Sequence, residues 1–332
     1  LRVLFVKLSS LGDVIQTLPA LHDVRAAFPS ATVDWVVEEA FAPLLAANAD
    51  GLARVIPIAQ RRWRHSRFAA ATRAERARFI AELQAEPYDA VIDFQGLIKS
   101  ALVARQARLA PGGSRYTYAN ASEACGYEWP VRYMVDQPVP MPRRVHAVQR
   151  YRLLAAGALG HALQGRADYD LRLARGGQGR EVLLAHGTTR PDNEWPQSHW
   201  VALGQRLQAA GWPVCLPYAG DAERAFAEET CAAIGKGARV LPRMSLAELP
   251  ARMAACAGVV GVDSGLSHLA VALDLPHVQI FSQPRAWRAG PVDTPHQLPV
   301  GGDHTPGVDE VWHTWERAWA ARPAAAAAAV QG

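Results

Sequence analysis

The second half of the chain alternates so strictly that few folds can accept it. Short apolar runs at 181–186, 213–217, 238–242, 258–262 and 277–281 take turns with stretches whose apolar residues recur at helical spacing. "SHWVALGQRLQAAG" places Trp200, Leu203, Leu207 and Ala210 on one face and stops at Gly211. "SLAELPARMAACA" opens with Ser245 and, three residues on, Glu248, the pattern of a capping box. Wholly apolar strands, each followed by a helix, predict a parallel sheet covered on both faces. The first half keeps this rhythm. Strands are expected at 2–6, 32–37, 54–57 and 89–93, and helices at 13–28, 69–85, 98–109 and near 145–159. Residues 111–142, rich in Pro, Gly and Tyr, receive no assignment. A chain of 332 residues is long for one domain, and two are expected. They are 1–165 and 181–322, joined by a linker, 166–180, containing "LARGGQGR". A low-complexity tail, 323–332, is expected to fray. The fold class is therefore α/β, two Rossmann-like doubly wound domains facing across a cleft. Ligands of such sheets bind beyond the carboxyl ends of the strands.

Bulk properties narrow the function less. The formal charge of +4 is a weak pointer to an anionic partner. Four scattered cysteines, with no CxxC, read as reduced thiols of a cytoplasmic protein. The first apolar run ends after about six residues at Lys7, too short for a signal peptide. No run of about 18 apolar residues predicts a membrane span. There is no GxxxxGK[ST], no GxGxxG after the first strand, and no His/Cys/Asp cluster at metal-ligand spacing, so no metal is expected. "DYD" at 168–170 matches a three-residue metal motif of sugar transferases, but it falls in the expected linker.

Four loops carry candidate chemistry. In "KLSSLGDVIQTLP", Asp13 opens a helix whose face is Val14, Ile15, Leu18, Leu21, Val24 and Phe28, bent or broken at Pro19. It reads either as an N-cap acid or as a general base held ionised by the helix end, with Ser9 and Ser10 beside it. In "GVDSGLSHLA", the Ser264-Gly265-Leu266 turn offers backbone N–H groups to a phosphate, and Asp263 suits sugar hydroxyls. There Ser264 or Ser267 reads equally as a cap and His268 as packing. In "AHGTTRPDNEWP", Thr188, Thr189 and Arg190 follow the first strand of the second half, the usual nucleotide loop, or a simple turn. Glu223 is placed to bind ribose hydroxyls or to sit exposed on a helix. Finally, seven arginines and one acid lie between 61 and 78, with Trp63 and Phe68 interleaved. They form a solvated helix face or an anion-binding surface. No nucleic-acid module accompanies them.

Together, "VKLSSLGDVIQTLPAL", "DWVVEEAF", "RRWR", "YDAVIDFQGLIKS", "LPRMSL" and "VDSGLSHLAVALDLP" resemble the ADP-heptose:lipopolysaccharide heptosyltransferases, above all the branch adding the first heptose. The likeness covers about residues 1–110 and 181–281. It implies a GT-B fold and inverting transfer of L-glycero-D-manno-heptose from ADP-heptose to Kdo of Kdo-lipid A. It implies no further cofactor and a place on the cytoplasmic face of the inner membrane. Asp13 matches the family's catalytic base, and Ser10, Gly12, Arg61, Arg62 and Arg64 its acceptor surface. Thr188, Thr189, Glu223, Met244, Asp263, Ser264, Gly265, Leu266 and His268 match donor contacts. Three departures stand out. Asn193 replaces a lysine that the family sets against the phosphates, and Arg190, Arg285 or Arg288 is expected to supply the missing charge. "SQPRAWRAGP" replaces a "GPTDP"-like stretch, and "NASEACG" an "AREPLA"-like one. A 2-epimerase of the same fold, or a non-catalytic ADP-sugar- or lipid-A-binding relative, stays open as the alternative.

Overall fold

The computed structural model describes residues 1–173 and 179–323. The centre of the expected linker and residues 324–332 of the expected tail lie outside the described residues. The chain divides into two units, Leu1–Arg172 and Leu173–Gly332.

Unit 1 runs β1 (Arg2–Val6), α1 (Leu11–Ala27), β2 (Thr32–Glu38), α2 (Ala42–Asn48), β3 (Leu52–Ile58), α3 (Gln60–Trp63), α4 (Ala70–Leu83), β4 (Tyr88–Asp93), α5 (Ile98–Gln106), β5 (Leu109–Tyr118), β6 (Gln137–Val139) and α6 (Ala147–Leu159). Its sheet has the order β3-β2-β1-β4-β5-β6, with all pairs parallel. Strand order reverses beside β1, so the switch point lies between β1 and β4. Both faces of the sheet are covered, as wholly apolar strands require. Leu4 and Val6 join Val36, Ile56 and Val91 on one side. On the other side Phe5 packs edge-on against Trp35 and tilted against Phe94.

Three expectations change here. Helix α1 is continuous through Pro19, neither broken nor ended by it. Pro19 removes one helical N–H bond, and burial of α1 against α6, with the buried Asp23–Arg152 ion pair at 2.7 Å, sustains the helix. Residues 111–142 hold most of β5, a 3-10 turn at Trp129–Tyr133, and the edge strand β6. Pro111, Gly112 and Gly113 interrupt the apolar pattern, and the register of β5 against β4 shifts there. Pro138 is tolerated because β6 is an edge strand. Residues 166–172 are not a free linker. Leu171 bridges to Ala49, and Arg172 pairs with Asp50 at 3.2 Å.

Unit 2 runs β7 (Val182–Ala185), α7 (Gln197–Ala209), β8 (Val214–Leu216), α8 (Asp221–Ile234), β9 (Ala238–Val240), α9 (Leu249–Ala254), β10 (Gly258–Val262), α10 (Gly265–Ala272), β11 (His277–Phe281), α11 (Ala286–Ala289), β12 (Gln297–Gly301) and α12 (Val308–Ala320). The order β12-β11-β10-β7-β8-β9 puts the switch point between β7 and β10. The periodicity used above did not reach β12 and α12. Helix α12 lays Trp315 so close beneath β10 that a Cβ at Gly258 would fall 2.8 Å from the indole. Among the described residues no helix is long and apolar enough to cross a membrane.

Candidate active site

In unit 1 the loops beyond β1 and β4 meet: the Ser9 N–H donates to Gln95 Oε1 at 3.2 Å. Ser10 is the N-cap of α1, and Asp13 stands three residues inside it. The Asp13 carboxylate accepts from the Ser10 N–H at 3.1 Å and the Ser10 hydroxyl at 2.9 Å. It thus closes a turn and stays a quarter exposed. From α6, the Tyr151 hydroxyl donates to Asp13 Oδ1 at 2.7 Å. The buried Lys7 ammonium lies 3.9 Å from that oxygen and donates to Tyr151 Oη and the Phe94 carbonyl. Beneath them Asp93, at the end of β4, accepts from the N–H groups of Gln95 and Gly96 and from the Ser100 hydroxyl. Burial pushes its pKa up to about 6 against those hydrogen bonds and the Lys7 charge. Arg150 lies with its guanidinium carbon 3.5 Å from the Tyr118 ring centroid, and its buried Nε and Nη2 find no acceptor among the described residues.

In unit 2 the loops beyond β7 and β10 are tied by Asn193, whose amide donates to the Asp263 carbonyl at 3.2 Å and carboxylate at 3.3 Å. Asp263 also accepts from Gln279 at 3.0 Å and lies 3.4 Å from His268 Nε2. Burial is the largest influence on Asp263 and pushes its pKa upward. The His268 contact, the Arg288 charge and Gln279 together outweigh it and hold the carboxyl below its usual value. Ser264 caps α10, and its buried hydroxyl has no partner among the described residues, whereas Ser267 is bonded to the Val262 carbonyl. A small polar turn with an unanswered hydroxyl and free helix-end N–H groups suits an anion. Glu223 leans over the β7 loop: a Cβ at Gly187 would fall 2.9 Å from its carboxylate, which accepts from the Ala219 N–H. Thr188 Oγ1 accepts from the Arg190 N–H, Thr189 is exposed, and Met244 lies half-buried after β9.

Asn193 stands where the resemblance puts a lysine. It is buried, and its amide is engaged by Asp263. Its predecessor Asp192 holds both Arg190 and Arg285, the latter at 3.0 Å, which brings Arg285 to this loop while its Nη1 has no partner among the described residues. The arginine run is also less open than its composition suggests. Arg62 is clamped between Glu39 and Glu75 at 2.9–3.0 Å, and Glu75 also takes the Trp63 indole N–H. Arg61 lies over Phe41, with its N–H on the buried Glu38, and Arg64 is exposed.

Lys7, Asp93, Gln95, Arg150, Tyr151, Asp192 and Gln279 were not singled out in the sequence. Lys7 and Asp192 lay within flagged loops, "KLSSLGDVIQTLP" and "AHGTTRPDNEWP". The fold also gathers His22, Asp168 and Asp170, the "DYD" acids, with ligand atoms within 4.8 Å of one another. Arg25 already answers Asp170 at 2.5 Å.

A family model described as glycosyltransferase family 9 (heptosyltransferase) matches residues 76–298. A lipopolysaccharide heptosyltransferase 1 of Pseudomonas aeruginosa is 41% identical over 286 residues, 85% of this chain and 78% of that protein. The solved structure of E. coli heptosyltransferase WaaC with ADP superposes with a TM-score of 0.84 at 34% identity, covering 96% of this chain and all of that one. The same enzyme with ADP-2-deoxy-2-fluoro heptose gives 0.81 at 36% identity, over 95% and 99%.

Proposed function

This chain belongs to glycosyltransferase family 9, the heptosyltransferases, and from that premise we propose how its two loop sets divide the work of lipopolysaccharide heptosyl transfer. Unit 2 holds ADP-heptose. Thr188, Thr189, the Ser264-Gly265-Leu266 turn and Arg285 face the diphosphate, Glu223 the ribose, Met244 the adenine, and Asp263 with His268 the sugar. Unit 1 supplies the base. Asp13 takes the proton of an acceptor hydroxyl as that oxygen attacks the anomeric carbon. The new C–O bond forms as the bond to the β-phosphate oxygen breaks on the opposite face, which inverts the centre. ADP leaves with the bonding electrons, its charge met by fixed N–H dipoles and arginine.

The acceptor in this reading is Kdo of Kdo-lipid A. The lipid brings the enzyme to the cytoplasmic face of the inner membrane as a peripheral protein. The exposed Trp129 and Tyr133, with Arg132 over the Tyr133 ring, have the amphipathic chemistry of a headgroup contact. The observation that carries the proposal is the Asp13 carboxylate, fixed beside the switch point and still reachable by solvent. The test is ADP release from ADP-heptose with and without Kdo-lipid A. Release that depends on Kdo-lipid A supports the proposal. Equal release without it, or epimerisation of the donor, sinks it.

A further inference from the structure

We propose that Tyr151 is a positioning residue for Asp13: with Lys7 it fixes the carboxylate in one orientation and keeps it ionised until an acceptor hydroxyl arrives. The proposal rests on the reading of Asp13 as the general base. Tyr151 lies on α6, 138 residues from Asp13 in sequence, and is buried in unit 1. A phenol has one proton to give. That proton goes to Asp13 Oδ1 at 2.7 Å, while the phenol oxygen accepts from the Lys7 ammonium at 3.1 Å. The ammonium also sits 4.7 Å from the Tyr151 ring centroid. Cation, phenol and carboxylate thus form a chain in which each hydrogen bond polarises the next.

The phenol is not itself a base. Burial, then the Asp13 charge, holds its pKa well above the ordinary tyrosine value, so the O–H remains a donor at any working pH. Hydrogen bonding to the charged form of a carboxyl favours that form and lowers its pKa. The ring alone would pack as well without the hydroxyl, since it meets Phe94 edge-on at 6.3 Å. Other charged or titratable groups surround the pair. Arg150 from α6 and Tyr118 from β5 bear on Tyr151 itself, and Asp93 from β4 and Cys125 from the segment after β5 bear on Tyr118. Tyr118 donates to the Phe94 carbonyl and Arg150 lies over its ring. The hydroxyl that reaches Asp13 from the helix packed on α1 is that of Tyr151.

The experiment is the pH profile of turnover, read as ADP release, for the wild type, Tyr151→Phe and Asp13→Asn. In Tyr151→Phe the acid limb moves up by about one pH unit, while the Kd for ADP is unchanged. Replacing Tyr151 by 3,5-difluorotyrosine, which keeps the shape and strengthens the donor, moves the limb down. That variant decides the matter if Tyr151→Phe fails to fold. If the limb stays put in both Tyr151 variants while Asp13→Asn abolishes turnover, Tyr151 has no such role and Asp13 remains the base. If Asp13→Asn keeps its turnover, the general-base reading and this proposal fall together.

Discussion

Asp13 and Asp263 each stand just past a central strand, beside the switch point of a six-stranded parallel sheet, yet the two surroundings differ in kind. Asp13 accepts from Ser10 in the loop it closes and from the Tyr151 phenol, has the Lys7 ammonium 3.9 Å away, and is a quarter exposed. Asp263 is engaged from three separate segments, by Asn193, His268 and Gln279, and is half as exposed. A carboxylate that must take a proton has to be reached by the substrate. One that knits two loops together has to be saturated. In unit 2 the groups without a partner among the described residues include two able to donate, the Ser264 hydroxyl and Arg285 Nη1, beside one acceptor, Gln279 Oε1. In the proposed division of work, unit 1 offers the base and unit 2 offers hydrogens to an anion.

The sharpest way to break this contrast is the same substitution in both places. Asp13→Asn keeps the shape but cannot accept the proton, and general-base removal lowers rate by about 10²–10⁴. ADP affinity should hold. Asp263→Asn sets an amide against two amide donors, so it should lose stability and ADP affinity together. Unfolding midpoints, calorimetric titration of ADP and steady-state rates separate the two. A retained rate in Asp13→Asn above a third of wild type would remove the base from unit 1.

The two units also carry buried titratable groups of opposite sign. Burial pushes the Asp93 pKa up to about 6, so the fold favours its protonated form. The resulting penalty is full above about pH 6 and is relieved as pH falls towards 4. Burial pushes His277 on β11 down to about 4, with its Nδ1 3.0 Å from the Val259 carbonyl. Its contribution is full above about pH 6.5 and is lost as pH falls towards 4. Each amounts to ~3 kcal/mol at most. Urea unfolding between pH 4 and 7 should therefore show the wild type losing ground to Asp93→Asn as pH rises, and gaining on His277→Asn. Parallel curves for either pair would show that its group does not titrate in that window.

What the sequence revealed follows from range. Asp13 and the Ser264-Gly265 turn were legible because a strand, a small polar turn and a helix lie within about fifteen residues. Four strands of the first sheet and five of the second were legible for the same reason, through apolar runs alternating with helical spacing. Tyr151 was hidden because its partner lies 138 residues away, and the pairing of Asn193 because Asp263 lies 70 away. The Asp192–Arg285 contact spans 93. Strand β5 was hidden by its Pro-Gly-Gly interruption, which removes the apolar alternation where the register shifts. Local chemistry announces where a loop begins, and the pairing that gives its residues their roles comes from the topology.

A smaller effect tests the donor side. Arg285 reaches the loop of Asn193 through Asp192, and one of its guanidinium nitrogens has no partner among the described residues. Arg285→Ala should weaken ADP binding about tenfold, roughly 1.4 kcal/mol. Asn193→Lys should recover part of that loss if both positions serve the same phosphates, although it gives up the bond to Asp263. Calorimetry on the two single variants and the double variant yields the coupling. Strict additivity would assign Arg285 to something other than the diphosphate.

The smallest effect concerns the arginines of unit 1, where composition and structure part company. Arg62, exposed like Arg61 and Arg64, has its charge answered by Glu39 and Glu75, whereas those two form no ion pair among the described residues. An exposed ion pair contributes little to stability, about 0–1 kcal/mol, but it determines which guanidinium an acceptor anion can claim. Arg61→Ala with Arg64→Ala should raise the KM for Kdo-lipid A several-fold and flatten its salt dependence, because two unscreened charges are removed. Arg62→Ala should leave KM close to wild type, since the acceptor gains nothing from a cation held by two carboxylates. Freeing Glu39 and Glu75 would, if anything, repel an anionic lipid and raise KM slightly at low salt. Initial rates against acceptor concentration, at two ionic strengths, distinguish these cases. A larger KM effect from Arg62 than from the exposed pair would mean that the clamp opens when the acceptor binds.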